Sequence, residues 1–178
     1  MDNKKMIWEK CAEFHGHECG GLTIGYKAAL YVVELMHLQM DESGCVSSDE
    51  EIVCVTENDA CSVDAIRVIL GCNEKKGNLF HHLTGKQAYT VFNRKTRESV
   101  RILLKARPEG MSREESFAYY QSKESCEMFE VVPVQIALPE RGKQEESFVC
   151  ARCGETAGAD WIRFVDGKPL CLDCFAEQ

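Results

Sequence analysis

Two stretches of this 178-residue chain gather side chains that can do chemistry. Residues 14–21 read FHGHECGG and run straight into the apolar LTIGYKAALYVVELM. His15, His17, Glu18 and Cys19 thus crowd one short loop at the mouth of a helix, where imidazole and thiolate suit a metal ion and a polar loop also suits a helix cap. The second stretch holds two CxxC pairs, Cys150/Cys153 and Cys171/Cys174, with 17 residues between them. A CxxC turn lets two thiolates converge on one ion, and two such turns complete a tetrahedral S4 shell, which suits zinc. Four thiolates leave no open position, so this site is expected to be structural. A redox dithiol is the rival reading, and two pairs at this spacing disfavour it.

A weaker constellation involves Cys19 and Cys61. Each is predicted at the start of a helix, where unpaired N–H groups and the positive end of the dipole favour a thiolate. His17, Cys19 and Cys61 are therefore candidate ligands of a core metal, with Asp64 a capping partner for the second helix. Each helix-start cysteine also reads as a small buried residue, and His15 reads equally as a core or capping residue and as a ligand. Cys72, about 16 Å along a helix from Cys61, is not expected on the same ion. His81 and His82 are adjacent and point opposite ways in an extended chain. Cys45, Cys54 and Cys126 lack ligand-type neighbours and read as structural. GGLTIG has the wrong glycine spacing for a dinucleotide loop.

Helices are predicted over 4–14, over about 20–38, from Cys61 to an end at Gly71, and over 112–126 with Ser112 and Glu115 as a capping box. EIVCVTE (51–57) reads as a strand, residues 88–105 as a β-hairpin around NRKTRE, and 129–138 as a strand that Pro133 assigns to an edge or bulge. NEKKGN reads as a loop. The order α-α-β-α-β-β-α-β predicts an α+β core over residues 1–138, with helices packed on a mostly antiparallel sheet. PERGKQEES (139–147) reads as a linker, and 148–178 as a separate four-cysteine finger with a hairpin turning at Asp166-Gly167. If the second CxxC opens a terminal helix, the finger is a treble clef; otherwise it is a ribbon. Some thirty residues bury too little surface to fold alone, so the metal would supply folding free energy.

The formal charge of −8 argues against nucleic acid and against an anionic membrane surface as partners. The finger carries three basic residues (Arg152, Arg163, Lys168) against five acidic ones (Glu155, Asp160, Asp166, Asp173, Glu177), which disfavours a DNA-binding regulator. MDNKKMIWEKCAEF has no apolar stretch of signal-peptide length, and residues 22–38 carry Lys27 and Glu34, so a cytoplasmic chain is expected. Eleven cysteines in that reducing setting imply metal ligation, reactive thiols or core packing rather than disulfides.

FHGHECGGLTIGYKAA, DACSVDAIRVILGCNEKKGNL and TGKQAYTVFNR together resemble the E-subunit family of formylmethanofuran dehydrogenase. The resemblance runs over most of residues 8–138, and residues 148–178 resemble the treble-clef zinc finger that some members carry. It implies an α+β core, a homodimer, and His17, Cys19, Cys61, Asp64, Cys72, Asn78 and Lys86 as motif positions lining a core cleft. Many relatives have proline where Gly20 stands, which loosens the helix start here. Nothing resembles the molybdopterin or iron–sulfur components of the enzyme that gives the family its name.

The function expected from these residues is that of a zinc-containing metal-binding protein with a second divalent metal in the core, and the resemblance implies service in anaerobic one-carbon or molybdopterin-linked metabolism. In that reading His17, Cys19 and Cys61 hold an open-coordination ion, Cys19 is a candidate catalytic thiol, and Lys86 or Asp64 orients a substrate. The alternative is a non-catalytic accessory protein whose finger contacts an oxidoreductase or other protein partner, and a zinc-finger transcription regulator ranks third.

Overall fold

The computed structural model describes residues 3–46, 51–140 and 146–176. Two compact units divide the chain, Met1–Glu140 and Arg141–Gln178.

The first unit is α+β. Helix α1 spans Asn3–His15 and α2 spans Gly20–Leu35; strand β1 (Ile52–Thr56) leads to α3 (Ser62–Leu70) and β2 (Leu79–His81). The hairpin β3 (Ala88–Asn93) and β4 (Ser99–Leu104) follows, then α4 (Arg113–Ser122), α5 (Ser125–Met128) and β5 (Phe129–Val132). The strands form one sheet in the order β2-β1-β3-β4-β5, with only the β1–β2 pair parallel.

Alternation along β1 sorts its side chains between two cores. Ile52 and Cys54 face the helices, among Leu22, Val32, Ile66 and Ile69. Val53 and Val55 join Phe92 on the opposite face, which Val134, Ile136 and Leu138 cover after β5. This explains why all five β1 residues are buried.

Helix α2 is the centre of the helical layer, burying Leu22, Ile24, Tyr26, Ala28, Ala29 and Val32. It packs on α3 so closely that a Cβ at Gly25 would stand 1.9 Å from the Ser62 carbonyl oxygen. That approach sets the distance between the starts of α2 and α3, and hence between the side chains they carry.

Most predicted elements stand where the sequence puts them, including the α3 stop at Gly71 (φ 69°) and the Ser112–Glu115 capping box. Three differ. Strand β2 is absent from the predicted order because only three residues form it, directly after a polar loop. The predicted helix 112–126 breaks at Lys123 (ψ 145°), and a second capping box, Glu124 with Glu127, opens α5. The strand from Phe129 stops at Val132: Pro133 has no N–H to donate, and β5 is the sheet edge. Among the described residues, no helix is long and apolar enough to cross a membrane.

The second unit contains two hairpins, β6 (Ser147–Val149) with β7 (Thr156–Gly158) and β8 (Ile162–Val165) with β9 (Lys168–Cys171), and then α6 (Leu172–Ala176). Asp166 (φ 49°) and Gly167 (φ 76°) both take positive φ, the two-residue turn that matches strand twist. The second CxxC straddles the junction of β9 and α6, the arrangement expected of a treble clef rather than a ribbon.

Candidate metal centres

The loop after β6 carries the first cysteine pair. Cys150 N–H donates to Glu155 O (2.8 Å) and Gly154 N–H to Cys150 O (2.9 Å), with Gly154 at φ 77°, a tight turn that brings both thiols to one side. The Sγ atoms of Cys150, Cys153, Cys171 and Cys174 all lie within 4.8 Å of one another. Cys153 and Cys171 are 3.8 Å apart, and two thiolates about 2.3 Å from a tetrahedral ion would be separated by about 3.8 Å. Backbone N–H groups of Cys153 and Cys171 pull the Cys150 thiol down to about 6, so it is ready to bind as thiolate. Arg152 donates to Cys174 O (3.2 Å), tying one pair to the other. The buried apolar residues of this unit are Cys150, Ile162, Leu170 and Cys174 among the described residues, so two of the four clustered thiols are themselves half of its core. This cluster fits a zinc-binding motif.

The second cluster lies in the first unit. His15 ends α1, Gly16 turns the chain at φ 88°, and Cys19 caps α2 by accepting from Leu22 N–H (3.3 Å). One donor atom each from His15, His17 and Cys19 lies within 4.8 Å of the others, and the two imidazole rings stand 4.4 Å apart. Trp8 holds the loop from α1 by donating to Glu18 (2.8 Å).

The position of His15 is fixed from α3. Its Nδ1 is 2.7 Å from Asp64 Oδ2, while its Nε2 is 3.7 Å from Cys19 Sγ. An ionised carboxylate can only accept, so Nδ1 carries the proton and a neutral ring offers its Nε2 lone pair toward Cys19. Nitrogen and sulfur on one tetrahedral zinc would be about 3.6 Å apart. Asp64 is held in turn by Arg67 (2.6 Å), Arg67 also pairs with Glu74, and Glu74 pairs with His81 (2.9 Å). Burial raises the Glu74 carboxyl, but hydrogen bonds from Arg67 and His81 outweigh it and bring the group to about 2. Asp64 is thus a positioning residue for His15, and the chain of charges behind it keeps its orientation.

Of the residues expected together, His17 and Cys19 meet, with His15 as the third donor. Cys61 stands beside them: a Cβ at Gly21 would be 3.7 Å from Cys61 Sγ and 3.8 Å from Cys19 Sγ. Burial first, and then the neighbouring Cys19, push the Cys61 thiol up. Its backbone is already helical (φ −47°, ψ −28°) and its side chain caps nothing. Cys72 and Asn78 lie fully inside the core and not on a cleft wall. Asn78 donates to Ile52 O (3.0 Å) and accepts from Asn73 N–H (2.8 Å), and Cys72 Sγ sits 3.5 Å from the same Ile52 oxygen, so both tie the α3–β2 connection to the start of β1. Burial raises the Cys72 and Cys11 thiols to about 12, as expected of core residues. Lys86 is exposed, and its backbone carbonyl accepts from Asn58 (3.0 Å). The signal for His15 is present in the H-x-H-x-C spacing; the signal for its orientation, Asp64, lies 49 residues away.

The family model described as "FmdE, Molybdenum formylmethanofuran dehydrogenase operon" matches residues 14–146. A probable S-adenosyl-L-methionine-binding protein of Archaeoglobus fulgidus is 29% identical over 201 aligned positions, which cover 93% of this chain and 51% of that protein. The chain therefore spans about half the length of this curated relative. The fold is similar to the crystal structure of a tungsten formylmethanofuran dehydrogenase FmdE-like protein from Syntrophus aciditrophicus, with a TM-score of 0.63, 22% identity, and 98% of this chain and 93% of that chain covered. With three quarters of its residues inside the family model and cysteines placed for a metal, this chain belongs to the FmdE family.

Proposed function

We propose that this chain is a metal-binding protein with two centres of different kinds: a structural zinc on Cys150, Cys153, Cys171 and Cys174, and an open-coordination divalent ion on His15, His17 and Cys19, with Cys61 adjoining. The observation that carries the core centre is the His15–Asp64 hydrogen bond, which leaves Nε2 turned toward Cys19. A carboxylate behind a ligating histidine fixes its tautomer and raises its basicity. His17 is exposed while His15 and Cys19 are half-buried, so the open position faces solvent. An ion with three protein ligands there would act as a Lewis acid or activate water.

The family description supports a place in anaerobic one-carbon or molybdopterin-linked metabolism. A chain with eleven cysteines suits a reducing, cytoplasmic setting. An accessory role through the finger, in a homodimer or with an oxidoreductase, is favoured by its exposed Trp161, Phe164 and Phe175. Cobalt(II) titration of the reduced, metal-free protein tests the core centre. The first equivalent is expected to give the intense charge-transfer bands of a four-thiolate site. The second is expected to give weaker bands of mixed nitrogen and sulfur ligation, lost in His15→Ala. Saturation at one equivalent would refute the core centre.

A further inference from the structure

We infer that a cleft beside the start of α2 binds a small organic anion, a carboxylate or phosphate carried on an apolar body. The cleft holds about 360 Å³, within the range of small-ligand sites. Its lining includes two cations, Lys105 and Arg107, and no carboxylate. Arg107 is held in place by donating to Ser116 Oγ (2.7 Å), which engages one guanidinium nitrogen and leaves Nε and Nη2 without a partner among the described residues. Lys105 reaches Cys126 O (3.0 Å) with one of its three protons. Glu127, a carboxylate that senses Lys105, is already engaged by Lys123 (3.2 Å) and by the Glu124 amide (2.8 Å).

Gln87 supplies a third donor. Its Oε1 accepts from Tyr89 (2.8 Å), which orients the amide and leaves its NH₂ with no acceptor among the described residues. The Gly20 and Gly21 amides, also in the lining, donate to nothing among the described residues. Gly20 faces Ser116, whose Oγ would lie in ordinary contact, 3.4 Å, from a Cβ there. The positive end of the α2 dipole adds to the field of the two cations. Ile24, Leu104 and Tyr120 supply apolar surface for the ligand's body. These groups recognise the anion without the core metal, although Gly21 also adjoins the Cys19 and Cys61 thiols.

The test is an NMR titration of the ¹⁵N-labelled full chain with three probes: benzoate, inorganic phosphate and neutral benzamide. Benzoate is expected to shift the Gly20 and Gly21 amide resonances saturably and benzamide is not. In Lys105→Gln/Arg107→Gln the benzoate affinity is expected to fall by roughly tenfold or more. Both side chains are exposed, so this variant should fold, and its unperturbed core resonances report that directly. Equal shifts with benzamide, shifts with phosphate but not benzoate, or an affinity unchanged in the double variant would each overturn the proposal. His15→Ala, which leaves the Cys19 cap of α2 intact, separates the two readings: benzoate binding retained after loss of core metal supports the cleft, and binding lost together with the metal would place the anion on the ion instead.

Discussion

The two donor sets differ in what holds them. In the second unit the clustered thiols come from two local turns, and the cysteines themselves make up half of the buried apolar residues among those described. In the first unit the donors sit at the edge of an independent core: His15 ends one helix, Cys19 caps another, and Asp64 reaches across from a third. A fold built by its metal needs only the spacing of its ligands. A centre built on a fold needs every contact that brings α1, α2 and α3 together, including the Gly25 approach to Ser62.

Metal removal should separate the two most strongly. A chelator is expected to unfold residues 146–176 and leave the α+β unit folded, because structural zinc contributes on the order of 10 kcal/mol to small domains of this kind. Loss of amide dispersion in the second unit alone, by NMR, is the expected result. Cooperative loss of both would show that the core depends on metal as well.

Asp64→Asn should act on one centre only. The amide keeps an acceptor oxygen but removes the charge behind His15, so core metal affinity is expected to fall by roughly 10- to 100-fold, as for other partners of ligating histidines. The four-cysteine site should be unchanged, and competition with a fluorescent chelator measures both. Equal weakening of the two sites would mean that Asp64 acts through folding rather than through His15.

The smallest effect concerns the charges behind Asp64. The Glu74 carboxyl lies at about 2 in the folded chain, below its ordinary 4.5, so its contribution to stability is present above pH ~4.5 and is lost as pH falls from there toward 2. The full shift corresponds to about 3 kcal/mol. With the side chain 40% exposed, screening reduces this to about 1 kcal/mol. Urea denaturation of the first unit at pH 6 and pH 3 should show Glu74→Gln flattening the acid loss by that amount. An identical pH dependence in the variant would mean that Glu74 contributes nothing to acid stability.

This contrast also explains what could be read from the sequence. The CxxC pairs, the Asp166-Gly167 turn, the Gly71 stop and the Ser112–Glu115 box are each complete within a few residues, so local chemistry determines them. The α+β class followed from the order α-α-β-α-β-β-α-β, with EIVCVTE marked as a strand by its β-branched residues and its length. The H-x-H-x-C loop was visible too, but which of its groups converge depends on α3 packing against α1 across 49 residues. Strand β2 carries too short a pattern to stand out, since its place is set by pairing with β1. The helix break at Lys123 had a local cue, the Glu124–Glu127 box, which an apolar-periodicity reading passes over.

The most direct measurement is elemental analysis by mass spectrometry of anaerobically purified protein, wild type beside Cys19→Ala. Two metal ions per chain are expected in the wild type, one for each donor cluster, and one in the variant. One ion per chain in both would contradict the two-centre reading, leaving FHGHECGG as a capped loop with a thiol and no resident metal.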